Sequence, residues 1–464
     1  MFTRLVQKEL LHHLLDFRFV CVFALCALLS GLSVYAGGRN YARELKEYNA
    51  VSETNRRSLQ EWLDKRILDE FFGKGYFWNR RPEVLSPVVY GLSGKLGQEV
   101  HIQHQQPPEF EGSPFATDPI HALFDVLDLA FIVKVVLSLC VLLFTYDAVC
   151  GEKEGGTLRL YASFPVSRAT LALSKLVGST LALLVLFTFG YLLACVALAL
   201  SPESGLRGGD WARVAALWGI FSLYLTVFAA FGIFVSALTH RRMTAFLGLL
   251  GLWTVWLFIV PNLAVRAARS LTPAESIYDM EKQTNALRWE VRGERRTERD
   301  AYFQRNPVQN FDSLSTTRQR EILDALRKME TRWDATFYDH LGRLQERRRN
   351  EMRRQQGLAM LLSALSPLGA VSFASMDLAR TGFVQQERIE DGLNAHLIYL
   401  AGFAREKQFQ RNFILTDFSP FSYRDSETFG ACLSRNAFHI LNLALLAIAG
   451  FAGAYVAILR YDVR

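Results

Sequence analysis

Apolar runs long enough to cross a lipid bilayer place the strongest constraint on this chain of 464 residues. A helix that spans the hydrocarbon core needs about 20 predominantly apolar residues. Six stretches fit that length and are predicted to be membrane spans: residues 19–36, 120–146, 171–200, 214–238, 243–265 and 437–459. Because backbone groups in lipid must pair with one another, these runs predict a mainly α-helical, polytopic membrane protein.

The composition predicts sizeable water-exposed regions besides the spans, because 50% of the residues are apolar but 21% are charged. The net charge of +7 fits basic membrane flanks. No basic stripe with interleaved aromatic residues is present, so a nucleic-acid partner is not expected. The six cysteines do not form a disulfide framework, and no paired cysteines have the spacing of a metal site.

Basic residues at the ends of the spans orient the chain. With six spans, one side of the membrane collects Arg4, Lys8, Arg18, Arg241, Arg242, Arg460 and Arg464. The positive-inside rule makes that side cytosolic and places both termini there. Residues 37–119 and 266–436 are then predicted to be extracytoplasmic.

Outside the spans, periodicity predicts further elements. Residues 1–18 are predicted to form an interfacial amphipathic helix, because their apolar residues recur at helical spacing. Glu9 lies away from the apolar face of that helix. Gly37 and Gly38 are expected to end the first span, and short strands are expected at 84–90 and 99–102. Residues 201–213 are predicted to form a short exit loop.

The second extracytoplasmic region is predicted to be a helical domain. Apolar residues at steps of three and four indicate two long antiparallel helices, separated at Asn306 and Pro307. Residues 359–376 are uncharged but contain Ser, Pro and Gly, so an interfacial or re-entrant segment is predicted rather than a span. A further helix is expected over residues 388–411.

Two charged residues near the start of the second span, Asp128 and Lys134, are candidates for lining a translocation pathway. The alternatives are that they snorkel to the interface, that they pair with each other, or that Lys134 pairs with a neighbouring subunit.

The polar connection between the second and third spans, residues 147–170, holds the most specific motif. Gly155 and Gly156 are expected to break the preceding helix, and Ser167 to cap the next one. This stretch resembles the cytosolic loop of ABC-2 type transporter permeases, whose pattern runs from an acidic residue through G-T-L to P-V-S-R and a lysine. The matching residues are Glu152, Gly156, Thr157, Leu158, Ser163, Pro165, Val166, Ser167, Arg168 and Lys175, with Tyr161 where Leu is more usual.

The resemblance implies a coupling helix that docks into a partner ATPase. The residues implied in docking are Glu152, Glu154, Gly156, Thr157, Leu158, Tyr161, Phe164, Pro165 and Arg168. The chain has no G-x-x-x-x-G-K-[ST] loop, so ATP and Mg²⁺ are expected in cytosolic ABC ATPase subunits, and no cofactor in this chain.

The resemblance also implies a second permease, identical or related, surrounding membrane lipids and a bacterial inner membrane. Two other functions stay open. The large extracytoplasmic domain fits a machine that moves a periplasmic protein without transporting cargo. A membrane receptor or sensor is the alternative from another class, although the short cytosolic pieces leave little room for an output domain.

Overall fold

The computed structural model describes residues 2–65, 74–93, 97–103, 109–111, 128–157, 167–200, 206, 208–308, 311, 314–410 and 417–460. It contains two compact units, Met1–Pro261 with Ser363–Arg464, and Asn262–Leu362. In chain order the helices are α1 (Phe2–Leu15), α2 (Phe17–Lys65), α3 (Leu129–Phe131, the π-helical turns Ile132–Leu137 and Ser138–Thr145), α4 (Cys150–Glu154), α5 (Arg168–Leu200), α6 (Gly208–Leu238), α7 (Arg242–Thr254, π-helical Val255–Ile259 and Val260–Leu271), α8 (Ile277–Arg305), α9 (Thr316–Ser363), α10 (Pro367–Leu378), α11 (Phe383–Gln410), α12 (Phe429–Arg435) and α13 (Ala437–Arg460).

Within the described residues, six helices are long and apolar enough to cross a membrane: α2, α3 with α4, α5, α6, α7 and α13. This confirms the predicted mainly α-helical, polytopic architecture. Residues 120–127 of the predicted second span lie outside the described residues.

Helix α6 lies at the centre of the membrane helices. It is the most buried of the six candidate spans, whereas α7 and α13 are largely exposed at the outside of the bundle. Helix α13 approaches it closely, because an added Cβ at Gly450 or at Gly453 would lie 2.8 Å from the ring of Phe231 or of Phe234. In lipid, such close packing takes the place of the hydrophobic effect in holding helices together.

Helix α2 continues far beyond the predicted first span. The expectation that Gly37 and Gly38 end it is wrong, since the helix is continuous for 49 residues. A helical glycine costs about 1 kcal/mol relative to alanine. At Gly37 that cost accompanies a close approach, because an added Cβ would lie 3.1 Å from the carbonyl oxygen of Pro87.

The predicted exit loop is also partly wrong, since α6 begins at Gly208 and includes Asp210 and Arg213. Residues 201–205 and 207 lie outside the described residues.

A small lobe, which we call the sheet lobe, packs on the far part of α2. Its strands β1 (Tyr76–Asn79), β2 (Glu99–Ile102) and β3 (Glu109–Glu111) form an antiparallel sheet in the order β1-β2-β3. The sheet side chains Tyr76, Val100 and Ile102 share a core with Ile389, Leu393, Leu400 and Phe403 of α11. Helix α11 and strand β2 confirm two predictions, whereas β1 and β3 were not predicted.

The predicted strand at 84–90 is wrong. These residues form turns, and Leu85, Val88 and Val89 pack into the core of the membrane helices. Pro87 in the middle of the segment removes a backbone donor that a strand would need.

Helix α10 occupies most of the segment 359–376, whose first residues belong to α9. Ser366 begins α10 as its N-cap, accepting a hydrogen bond from the Gly369 amide at 3.2 Å. Twelve residues extend about 18 Å, too short to cross a core of about 30 Å. Helix α10 packs against α6 and α13, so it lies among the membrane helices. The sequence predicted an interfacial or re-entrant segment rather than a span.

The second unit is a helical hairpin of α8 and α9. Arg295 pairs with Glu330, Arg332 pairs with Glu298, and Arg348 Nε donates to the Glu275 carbonyl at 3.2 Å. Glu275 near the start of α8 meets Arg348 late in α9, whereas Arg295 near the end of α8 meets Glu330 early in α9, which confirms the predicted antiparallel arrangement. Helix α8 ends at Arg305, next to the predicted break.

Candidate functional site

The segment 145–157 connects α3 to the predicted docking residues through α4. Gly156 ends α4 in the left-handed region, with φ of +72°, and its amide donates to the Lys153 carbonyl at 3.2 Å. Beyond it, Ser167 Oγ accepts from the Thr170 amide at 3.1 Å and caps α5. The glycine break and the serine cap are thus confirmed. Leu158, Tyr161, Phe164 and Pro165 lie outside the described residues, as does the side chain of Arg168.

Lys175 of α5 joins the segment to the N-terminal helix. Its side chain is only 2% exposed, and Nζ lies 2.7 Å from Glu152 Oε1 and 3.5 Å from Glu9 Oε1. A buried ammonium is costly unless it is paired and hydrogen bonded. Two carboxylates supply that pairing, and as a result α1, α4 and α5 meet at one point.

Helix α1 packs directly on α5. An added Cβ at Gly178 would lie 2.6 Å from Glu9 Cβ, so the two helices touch at that glycine. His13 Nε2 lies 2.9 Å from Ser179 Oγ. Burial lowers the pKa of His13, which favours the neutral ring near neutral pH. Glu9 was predicted to lie away from the apolar face of α1, yet it is buried, because Lys175 on α5 draws its carboxylate inward.

Helix α4 is also fixed to the end of α6. The amides of Val149 and Cys150 donate to Ser236 Oγ at 3.0 and 3.1 Å. Lys153 donates to the carbonyl of Ala237 and, at 3.2 Å, to that of Thr239. These contacts satisfy carbonyl groups that the last turn of a helix leaves unpaired.

Two further ion pairs attach the segment to α2 and α7. Arg18 Nη1 lies 3.1 Å from Asp147 Oδ2, and Arg242 Nε lies 3.6 Å from Glu154 Oε2. The second pair is half exposed, and such pairs contribute little to stability. We call Glu9, Arg18, Asp147, Glu152, Lys153, Glu154, Lys175, Ser236 and Arg242 the anchoring cluster.

Two of the predicted docking residues, Glu152 and Glu154, contact other parts of this chain within the anchoring cluster. Glu152 and Glu154 direct their carboxylates to Lys175 and Arg242, while Gly156 and Thr157 are exposed. Sequence reasoning found the Lys175 position only as part of a motif. It missed Glu9, Asp147 and Ser236, since their contacts join distant parts of the chain and leave no local pattern.

The two candidate pathway residues differ in burial and contacts, although the charge of Asp128 acts on Lys134. Asp128 is buried, and its carboxylate accepts from the Phe131 amide at 2.6 Å and the Tyr90 amide at 2.9 Å. It therefore caps α3. Lys134 is partly exposed within the π-helical turns and, among the described residues, has no carboxylate within 4.0 Å.

The irregular backbone at Lys134 is satisfied by side chains. Its carbonyl accepts from Tyr224 Oη at 2.7 Å and from Ser138 Oγ at 2.6 Å. Trp253 Nε1 in turn donates to Ser138 Oγ at 2.9 Å. π-Helical turns frequently occur at functional sites, and side chains of α6 and α7 hold this one in place.

At the opposite end of α6, a network of charges joins the membrane helices to the sheet lobe. Arg435 binds Asp377 at 2.8 Å and Glu427 at 2.6 Å, and Arg388 also binds Glu427 at 2.6 Å. Although burial opposes ionisation, hydrogen bonds from Arg388 and Arg435 lower the pKa of Glu427 to about 2. Sequence reasoning missed this network, which we call the lobe network.

A buried arginine and a half-buried carboxylate lie beside the lobe network. Arg213 of α6 is 2% exposed and donates to the Leu378 carbonyl at 3.2 Å. Burial raises the pKa of Glu83 to about 7, despite the opposing effects of Arg80 and Arg380.

Comparison with known proteins agrees with this arrangement. The sequence model described as ABC-2 family transporter protein matches residues 4–463. A protein of Stutzerimonas stutzeri, named probable ABC transporter permease protein NosY, is 31% identical over 138 residues, 29% of this chain and 49% of the relative. The protein of the same name from Pseudomonas aeruginosa is 33% identical over 150 residues, 30% of this chain and 52% of the relative.

The chain thus spans about half the length of the curated relatives it matches. The family match, in contrast, covers nearly all of the chain, including the anchoring cluster and the six candidate spans. The chain therefore belongs to the ABC-2 family of transporter proteins, as a multi-pass membrane subunit.

Proposed function

We propose that this chain is the permease that couples ATP hydrolysis by cytosolic ABC ATPase subunits to the export or extraction of a substrate. The observation that carries the proposal is the anchoring cluster. Segment 145–157 has contacts with α2, α5, α6 and α7, and Lys175 of α5 links it onward to Glu9 of α1. A displacement imposed on this segment would therefore reach four helices directly and a fifth through Lys175.

We assign two different roles to the residues of the loop. Leu158, Tyr161 and Phe164 supply the apolar surface that enters the ATPase, and Pro165 and Arg168 end that surface. Gly156 and Thr157, which are exposed, form the hinge before it. Glu152 and Glu154 hold the loop on the membrane helices, in keeping with their contacts to Lys175 and Arg242.

ATP binding by the partner would move the loop and shift the packing of the membrane helices. A ligand can shift such an equilibrium only by its differential affinity for the two states, which is a few kcal/mol in typical cases. ATP and Mg²⁺ belong to the ATPase subunits in this scheme. A second permease, identical or related, completes the complex, and both termini face the cytosol of a bacterial cell.

Lys134 is the residue that we propose for the substrate pathway. Ionisable residues inside a membrane are costly and usually functional. Its partial exposure and the lack of a carboxylate within 4.0 Å among the described residues support this assignment. Asp128 instead caps the start of α3, so the proposed pathway does not include it.

A second function, transmission of movement to a periplasmic protein, is supported by the lobe network. Arg435 of α12 binds both Asp377 of α10 and Glu427, and Glu427 also binds Arg388 of α11, so the sheet lobe is tied to the membrane helices. Replacing residues 270–357 by a short linker removes the helical hairpin and leaves the residues of the lobe network in place. This change separates the two functions. Retained ATPase stimulation with retained transport favours a simple exporter. Retained ATPase stimulation with loss of a periplasmic partner or of transport favours transmission or substrate capture.

Co-purification with the cognate ABC ATPase tests the proposal. The double change Leu158→Asp/Phe164→Asp should abolish association, because two charges would enter an apolar contact. Glu154→Gln is the matched control in the same loop, since its half-exposed ion pair contributes little. Gel filtration and circular dichroism show whether each variant is folded. Unchanged association of a folded double variant would refute the docking assignment.

A further inference from the structure

The base of the helical hairpin carries a dense cluster of arginines. Residues 266–275 and 346–354 together hold seven arginines and three glutamates, which leaves four positive charges unbalanced. We call the arginines the basic collar: Arg266, Arg269, Arg347, Arg348, Arg349, Arg353 and Arg354.

Contacts within the hairpin hold these two segments side by side. Gln355 Nε2 donates to the Thr272 carbonyl at 2.8 Å, and the Glu275 amide donates to Glu351 Oε2 at 3.3 Å. The end of α7 therefore lies beside the stretch of α9 that carries the other arginines. Ala264 and Ala268 form the buried face of α7 here, while Arg266 and Arg269 are exposed.

Three members of the collar are available to a ligand. Arg266, Arg269 and Arg354 are exposed and make no hydrogen bond or ion pair with the residues that the structure describes. Arg347 differs, because its Nε lies 3.2 Å from Glu351 Oε1. Arg348 likewise donates to the Glu275 carbonyl.

The collar occupies the level at which apolar helix gives way to polar helix. Arg266 follows the apolar run 243–265 of α7 directly, and the apolar residues 358–362 follow the collar on α9. Hydrocarbon meets headgroups at such a boundary. A guanidinium group binds phosphate through paired N–H donors, and its fork matches the phosphate oxygens.

We propose that the basic collar binds the headgroup phosphates of anionic phospholipids. On the predicted topology this leaflet is the outer one, where the positive-inside rule expects few arginines. Orientation of the chain therefore does not account for the cluster, whereas binding of anionic headgroups does. The proposal concerns the second unit alone and does not depend on an ATPase partner.

Spin-labelled lipids test the proposal on the intact chain in phosphatidylcholine bilayers. The motionally restricted fraction of labelled phosphatidylglycerol, relative to labelled phosphatidylcholine, measures the preference for the anionic headgroup. The triple change Arg266→Gln/Arg269→Gln/Arg354→Gln should lower that preference by about threefold or more, because each basic residue near an anionic surface adds to binding. Replacement of the same three residues by Lys should retain most of it.

The matched control is Arg299→Gln/Arg305→Gln/Arg320→Gln, which removes the same charge from exposed positions farther along the hairpin. It should leave the lipid preference unchanged. Inorganic phosphate, added at constant ionic strength, should not displace the labelled lipid, which separates a headgroup site from a site for free phosphate. An equal preference in the collar variant and the wild type, or an equal loss in the control variant, would overturn the proposal.

Discussion

Lys175 places its ammonium nitrogen 2.7 Å from Oε1 of Glu152, at a depth where only 2% of the lysine side chain is exposed. This single pair connects α4, which precedes the proposed docking surface, to α5, which follows it. Both ends of the loop are therefore held at one point, and Glu9 brings α1 to the same point.

Lys175→Met should destabilise the protein, because Glu9 and Glu152 would then face each other without a cation. Breaking a buried ion pair by removing one partner costs about 3 kcal/mol or more. Thermal unfolding of the purified protein measures the loss. Arg57→Gln is the control, since its pair with Glu53 is exposed and should contribute well under about 1 kcal/mol. A Lys175 variant as stable as this control would contradict the pairing.

Gly178→Ala should separate α1 from α5. The new Cβ would lie 2.6 Å from Glu9 Cβ, and overpacking of this kind costs about 1–3 kcal/mol. Gly251→Ala is a matched change in another membrane helix, with no atom within 4 Å of the new Cβ. It should be neutral or slightly stabilising. The expected readouts are a lower thermal midpoint and faster proteolysis of α1 in the Gly178 variant only.

Glu83 should make stability fall as the pH rises. Burial raises its pKa from an ordinary value of 4.5 to about 7, so the folded state binds a proton that the unfolded state has released. The contribution of the protonated group is therefore lost between about pH 4.5 and pH 7. Glu83→Gln should remove this dependence and stabilise the protein at pH 8 by on the order of 2 kcal/mol.

The opposite sign at Glu427 provides the control for Glu83. Its pKa is lowered to about 2, so its contribution is present above about pH 4.5 and is lost as the pH falls toward 2. Glu427→Gln should therefore destabilise the protein at neutral pH. Unfolding midpoints of both variants from about pH 3 to pH 8 distinguish the two effects, and parallel profiles would contradict the assignments.

Cys26 and Cys140 should form a disulfide on oxidation. Both cysteines are buried, Cys26 on α2 and Cys140 on α3, and their side chains are neighbours. Copper phenanthroline would remove two electrons as the thiols release two protons and form the S–S bond. A mobility shift on non-reducing gels should be lost in Cys26→Ser and in Cys140→Ser but kept in Cys195→Ser. A shift that needs Cys195 would contradict the packing of α2 on α3.

The sequence predicts what depends on local periodicity. Apolar runs are enough for the spans, and steps of three and four residues are enough for α8 and α9. Gly156 and Ser167 are likewise found from local turn and cap chemistry. These features need no knowledge of what packs against them.

What the sequence does not reveal depends on partners far along the chain. Gly37 is predicted to end a helix because the sequence alone does not show its contact with Pro87. Arg213 reads as a loop residue, although α10 supplies the carbonyl that it binds. In the candidate site, the burial of Glu9 is not predicted, because no residue near it in the sequence indicates its contact with Lys175.

The length of α2 has a mechanical consequence. Forty-nine residues in one helix extend about 73 Å, more than twice the hydrocarbon thickness. Sharp helix bends occur at proline, at Gly/Ser pairs, at π-bulges or at an inserted side chain, and α2 contains no proline and stays α-helical through Gly37 and Gly38. It acts as a lever arm that is fixed by Arg18 at one end and carries Trp62 at the other. A rotation of about 5° at its beginning would move its far end by about 6 Å, a displacement as large as one helical turn.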